Sequence, residues 1–125
     1  MEAAFRVDPD QFVDGFREGS IISPRIYSER LGISGIPLAK LAGVHRSTVV
    51  HAPASEKLQD YLRDSLSVLT MLVEANGGDV KRALYWFRNM PLTELGGETA
   101  ERYVSEGKAN AMRRYFTGLA AGATG

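Results

Sequence analysis

The chain has 125 residues, and its 15 basic and 15 acidic side chains give a formal net charge of zero at neutral pH. It contains no cysteine, which excludes a disulfide framework, a thiolate metal site and a cysteine nucleophile. An apolar fraction of 44% is typical of a folded globular protein, and this length allows one domain or two very small helical ones.

Neither a membrane span nor a secretory leader is predicted. No apolar run approaches the roughly 20 residues that crossing a bilayer requires, so we expect no membrane partner. Residues 1–10, MEAAFRVDPD, are acidic and lack the basic n-region of a signal peptide. Together with the lack of cysteine, this favours a cytoplasmic location.

Two short helices are predicted within residues 8–32. Asp8 and Ser23 are each followed by proline, a common helix start in which the polar side chain caps free amide groups and proline takes the first helical position. We expect glycine to end both helices, at Gly19 and Gly32. The apolar faces consist of Phe12, Val13 and Phe16 in the first helix and Ile26, Tyr27 and Leu31 in the second.

Residues 37–52, PLAKLAGVHRSTVVHA, match the pattern of a helix-turn-helix. Ala39 is small enough for two helices to cross closely, and Gly43 permits the left-handed backbone of a tight turn. Val49 follows at the position of an inward-facing aliphatic residue. The spacing therefore predicts two short helices joined by a tight turn.

Polar side chains of the second of these helices would face a DNA major groove. Arg46 could bind guanine or a phosphate, and Ser47 and Thr48 are suited to phosphates. Residues 21–52 hold four basic residues against one acidic residue, which fits a nucleic-acid surface. The alternative is a plain three-helix packing unit, because Pro53 cuts the helix short. The candidate DNA contacts are Lys40, His45, Arg46, Ser47, Thr48 and His51.

The longest predicted helix covers residues 56–75, with Ser55 as its N-cap. Its apolar stripe is wide enough to pack on both halves of the chain, which predicts a connecting spine; a homodimer surface along the stripe is an open alternative. The stripe consists of Leu58, Tyr61, Leu62, Leu66, Leu69, Leu72 and Val73.

Residues 76–107 predict a helical hairpin. Asp79 is a natural N-cap, Met90-Pro91 ends the first helix, and Gly107 closes the second. The first helix carries an apolar face of Val80, Ala83, Leu84 and Phe87, and the second carries Ala100, Tyr103 and Val104. The simplest interpretation is a small packing unit with an aromatic core of Tyr85, Trp86 and Phe87.

A last helix is predicted from Lys108. One face carries Ala109, Met112, Phe116 and Leu119, and another carries Lys108, Arg113 and Arg114. The helix is expected to dissolve at residues 118–125, a tail of small residues without charge.

The order of these turns resembles the C-terminal toxin-binding domain of Xre/MbcA/ParS-type antitoxins, which are partners of RES-domain toxins. The resemblance covers roughly residues 66–120 and, weakly, the helix-turn-helix before them. It rests on the Gly-Gly-Asp that precedes a helix, Ala83 and Trp86 within it, the Met90-Pro91 exit, the LTELGG turn of residues 92–97, and a helix from Thr99-Ala100 to Gly107.

The resemblance implies an all-α protein with a helix-turn-helix region at 1–54 and a toxin-binding region at 55–125. It implies an antitoxin that occludes the active site of an NAD-degrading toxin and represses its own operator DNA. The cognate RES-domain toxin would be the partner, in a hetero-oligomer or beside a homodimer. The implied toxin-binding residues are Trp86 and Leu95 as scaffold, and Arg113, Arg114, Phe116, Gly118, Leu119 and Gly122 as contacts.

No catalytic, metal or cofactor site is predicted. Gly77-Gly78-Asp79 precedes a helix but lacks the strand and lysine of a phosphate loop, and two histidines are too few for a metal site on their own. The alternative function is a helix-turn-helix transcriptional repressor whose C-terminal half serves dimerisation.

Overall fold

The computed structural model describes residues 7–124, and side chains up to Ala121. The chain is all-α, as predicted, with one two-stranded hairpin near its start. The helices are α1 Pro9–Phe12, α2 Pro24–Leu31, α3 Gly35–Ala42, α4 Arg46–His51, α5 Glu56–Ala75, α6 Val80–Asn89, α7 Ala100–Ser105 and α8 Ala109–Thr124, and the strands are β1 Arg17–Glu18 and β2 Ile21–Ile22.

Polar side chains begin the helices where the sequence predicts. The Asp8 carboxylate accepts a hydrogen bond from the Asp10 amide at 3.0 Å. Ser23, Ser55 and Asp79 cap α2, α5 and α6 in a related way, each accepting from the amide three residues further on. Each cap satisfies an amide that has no partner inside its helix.

The first predicted helix ends earlier than expected. Gly19 does not end it: α1 stops at Phe12, a 3₁₀ turn follows at Val13–Phe16, and the chain then forms the β1–β2 hairpin. Gly19 lies in the hairpin turn with φ +63°. A buried glutamine explains why the chain changes from helix to hairpin here. Gln59 of α5 accepts a hydrogen bond from the Ile22 amide at 3.0 Å and donates one to the Ile22 carbonyl at 2.8 Å.

Helix α5 is enclosed by the rest of the chain. It packs against α1, α3, α6, α7 and α8, and its buried stripe covers about half of the helix circumference. The predicted spine is therefore confirmed. Its stripe is covered from within the chain and is not free for a homodimer. The buried α5 residues are Leu58, Gln59, Tyr61, Leu62, Ser65, Leu66, Val68, Leu69, Leu72 and Val73.

Two helices of the N-terminal half receive hydrogen bonds from the C-terminal half at their carboxyl ends. Arg88 of α6 donates to the Leu31 carbonyl at 2.8 Å. Ser105 of α7 donates to the Leu41 carbonyl at 2.8 Å. Carbonyls in the last turn of a helix lack intrahelical partners, so these two side chains complete α2 and α3.

Arg88 also forms a partly buried ion pair. Its Nε lies 3.1 Å from a carboxylate oxygen of Glu101 on α7. Burial raises the pKa of the Glu101 carboxyl, and the Arg88 guanidinium opposes that shift without cancelling it. One arginine therefore joins α2, α6 and α7.

Two predictions for the C-terminal half are wrong. Tyr85 is not part of an aromatic core, because 65% of it is exposed, whereas Phe87 is buried. The last helix does not dissolve at Gly118, because α8 continues to Thr124. Its four alanines between residues 109 and 121 favour the helix enough to offset the low helix propensity of Gly118. Gly125 lies outside the described residues.

We expect Arg88→Ala to lower the free energy of unfolding by about 2 kcal/mol. The substitution leaves Glu101 and the Leu31 carbonyl without their donor, and the estimate is discounted for the 30% exposure of the Arg88 side chain. Arg102→Ala is the control, because Arg102 forms only exposed ion pairs and should cost under about 1 kcal/mol. Urea denaturation measures both, and equal losses would contradict the role given to Arg88.

Candidate interaction surfaces

Helices α3 and α4 pack closely and are joined by a tight turn. Gly43 ends α3 with φ +71°, a left-handed conformation that favours glycine. Ala39 is buried where the two helices meet, and the Val44 amide donates to its carbonyl at 3.0 Å. These positions are the ones that the sequence pattern singles out.

His45 is the N-cap of α4. Its Nδ1 accepts a hydrogen bond from the Ser47 amide at 3.1 Å and lies 2.9 Å from the Ser47 hydroxyl. Both side chains are exposed. The sequence singles out His45 and Ser47 as DNA contacts, and the structure gives them a local role in starting the helix as well.

The other candidate DNA contacts differ in exposure. Lys40, Arg46 and His51 are exposed, and Thr48 is half-buried. Within residues 7–124, neither Lys40 nor Arg46 forms an ion pair. Two cations are therefore available to an anionic partner on this side of the molecule.

The toxin-binding candidates lie around α8. The Trp86 and Phe116 rings meet edge to face at 5.4 Å, so the structure brings α6 and α8 together there. Leu95 is half-buried and lies in the 3₁₀ turn Thr93–Leu95. The turn is tied to α8 by Tyr115, whose hydroxyl donates to the Glu94 carboxylate at 2.8 Å, and this bond raises the pKa of the Tyr115 phenol.

The two arginines of α8 have different environments. Arg113 is half-buried and donates hydrogen bonds to Ser67 of α5 and to Asn110. Arg114 is exposed and forms no ion pair or hydrogen bond with another described residue. Arg113 therefore fastens α8 to α5, and Arg114 is the one of the two that is free for a partner.

A hollow of about 540 Å³ lies between the end of α5 and α8. Met71 and Glu74 line it from α5, and Phe116 and Leu119 line it from α8. Leu119 is 50% exposed. Of the glycine candidates, Gly118 is exposed and Gly122 lies within α8. We call this region, from residue 116 to 124, the α8 end.

Four residues were not singled out from the sequence: Tyr115, which bonds Glu94, Met71, which lines the hollow beside α8, and the exposed Ile36 and Val50. A signal was present for two of them. Met71 is an apolar residue on the polar side of the α5 stripe, and Val50 directly follows the inward-facing Val49, so both cannot face the core of one helix. Ile36 and Val50 are 51% and 69% exposed.

The described residues contain no group of three side chains suited to hold a metal ion. None of their helices combines the length and apolar character that a bilayer span requires. No protein-family model matches the chain, and a comparison with curated proteins finds no significant match. Functional inference therefore rests on the motifs and on these surfaces.

We expect His45→Ala to destabilise the protein by about 1 kcal/mol, because the Ser47 amide loses its acceptor. His45→Ser should stay close to the unsubstituted chain, since serine is a good N-cap. Chemical denaturation of both variants measures the difference. Equal stability of the alanine and serine variants would show that this cap does not stabilise α4.

Proposed function

We propose that this chain is an antitoxin of a type II toxin–antitoxin system, and that it binds a RES-domain, NAD-degrading toxin and blocks its active site. The observation that carries the proposal is the order of turns in residues 76–107, which resembles the toxin-binding domain of Xre/MbcA/ParS-type antitoxins. The chain itself would do no chemistry.

The geometry of the LTELGG segment supports this interpretation. The Leu92 amide donates to the Glu98 carbonyl at 2.9 Å, and the Gly97 amide donates to the Leu92 carbonyl at 2.8 Å, so the segment is a closed loop. Gly96 has φ +90°, which favours glycine. The residues that carry the resemblance therefore have specific conformational roles.

The α8 end has the character of a docking element. Phe116 and Leu119 are three residues apart and share one face of the helix, and the exposed cation of Arg114 lies on the other side of α8. An amphipathic helix can bind an apolar cleft through such a face. Arg114 would then pair with an acidic rim of the toxin cleft.

Because α8 continues to Thr124, a helix and not an extended tail would occlude the active site of the toxin. A helix end is wider than an extended chain, so the α8 end either fills a broad cleft or unwinds on binding. Gly118 and Gly122 each lower helix stability by about 1 kcal/mol relative to alanine, which reduces the free-energy cost of local unwinding. We favour binding as a helix, because the apolar face exists only in that state.

A second candidate function is repression of operator DNA by the α3–α4 unit. It is favoured by the exposed, unpaired Lys40 and Arg46 on a segment with four basic residues and one acidic residue. The two functions are compatible, because the α8 end and the α3–α4 unit share no residue.

Leu119→Asp should abolish neutralisation while leaving the fold intact, because the side chain is half exposed and a carboxylate would be desolvated in an apolar cleft. Removal of residues 118–125 should act in the same direction. The measurement is growth rescue on co-expression with the RES-domain toxin encoded by the adjoining gene, together with co-purification. Val50→Asp is the control, an exposed aliphatic residue outside the α8 end. Unchanged rescue by the Leu119 variant, or the lack of an adjoining toxin gene, would contradict the proposal.

Arg46→Ala should weaken binding to the upstream DNA by roughly tenfold, reduce the salt dependence of that binding and leave neutralisation unchanged. Arg63→Ala is the control, because Arg63 lies on the exposed side of α5 and pairs with Asp60. Titration of duplex DNA at several salt concentrations measures both. Loss of neutralisation in the Arg46 variant would contradict the separation of the two surfaces.

A further inference from the structure

Helix α4 has an apolar ridge that no part of the described chain covers. Val50 is 69% exposed and stands between two hollows. One hollow, of about 470 Å³, is lined by Ile21, Pro24 and Pro53 among others. The other, of about 460 Å³, is lined by Ile36, which is itself 51% exposed. We call α4 with these two hollows the Val50 face.

The two hollows carry opposite charge at their edges. Glu18 and Glu29 line the first, where both pair with the exposed Arg25. Arg46 and His51 line the second. Two carboxylates around one arginine leave the first hollow with an excess of negative charge, while Arg46 leaves the second positive.

Arg46 and Val50 are four residues apart in α4, so they lie on the same side of the helix. A molecule that receives Val50 in an apolar hollow must therefore also face a guanidinium one turn away. The first hollow of the Val50 face has this combination, with apolar walls and carboxylates at its edge.

We propose that the Val50 face binds the Val50 face of a second copy of this chain around a two-fold axis. Val50 of each copy enters the first hollow of the other, and Arg46 of each copy approaches the carboxylates of Glu18 and Glu29 of the other. A two-fold contact uses the same patch on both copies, so the apolar contact and the charged contact are each made twice. The pairing explains why exposed aliphatic and oppositely charged groups occur together here.

Duplex DNA is the other occupant to consider. Its phosphates would approach Arg46 favourably, but the carboxylates of Glu18 and Glu29 at the neighbouring hollow would repel them. The exposed Ile36 and Val50 would also meet a polyanion over much of their surface. Self-association therefore matches more of this face than DNA does, and any binding of DNA through Arg46 would be confined to the monomer.

The inference does not rest on the antitoxin function, because it is tested with the full chain alone. Sedimentation velocity at concentrations from about 1 µM to several hundred µM should detect a monomer–dimer equilibrium. Val50→Asp should raise the dissociation constant by about tenfold or more, as expected for a residue at the centre of an interface. Leu119→Asp should leave it unchanged. These two variants thus separate self-association from toxin binding.

Charge reversal provides the second arm of the experiment. Arg46→Glu and Glu29→Arg should each weaken the dimer, and the double variant should recover most of the affinity, because the pair then meets with its signs exchanged. This arm also tests the proposal if Val50→Asp fails to fold by circular dichroism.

Three results would overturn the proposal: a monomer at every concentration, a dimer that Val50→Asp leaves intact, and charge reversals that the double variant does not rescue. A chain that remains monomeric yet binds duplex DNA through Val50 and Arg46 would assign this face to DNA instead.

Discussion

The fold depends on helix ends that cannot satisfy their own carbonyl groups. The last turns of α2 and α3 would leave polar groups without partners, and Arg88 and Ser105 supply the donors from the other half of the chain. The Arg88 guanidinium is in turn held by Glu101. Because these bonds join the regions 1–54 and 55–125, the α3–α4 unit keeps its geometry through contacts with the C-terminal half. The boundary at residue 54 marks a difference in sequence character, and the packing crosses it.

Enclosure of α5 decides which surfaces remain for partners. With its apolar stripe covered by α1, α3, α6, α7 and α8, the broad hydrophobic surface of this helix is used in folding. Exposed aliphatic side chains remain at Val50 and at Leu119 on separate helices. Val50 shares its side of α4 with Arg46, which forms no ion pair with another described residue. An adaptor that binds macromolecules needs such mixed patches, in which apolar contact supplies affinity and charge selects the partner.

Composition was a poor guide to the ends of two elements. Residues 118–124 are uncharged and include two glycines, yet they continue α8. Helix propensity is a sum over neighbours, and the buried Ala109 and Met112 hold the helix against the core. Residues 17–22 show no strong strand pattern, yet they form a hairpin, because Gln59 offers both a donor and an acceptor to Ile22.

Local signals in the sequence determined the starts of α1, α2, α5 and α6, the left-handed turns at Gly32 and Gly43, the inward faces of α2, α5 and α6, and the all-α class. They act within one or two turns, so the sequence alone contains them. Only the tertiary structure decided the partners of Gln59, Arg88 and Ser105, which lie 37, 57 and 64 residues away along the chain. It also decided how far Val50 is exposed beside a half-buried Val49. The sequence spacing indicates only that the two side chains cannot both face inward, whereas the degree of exposure depends on which neighbours the fold brings over the helix face.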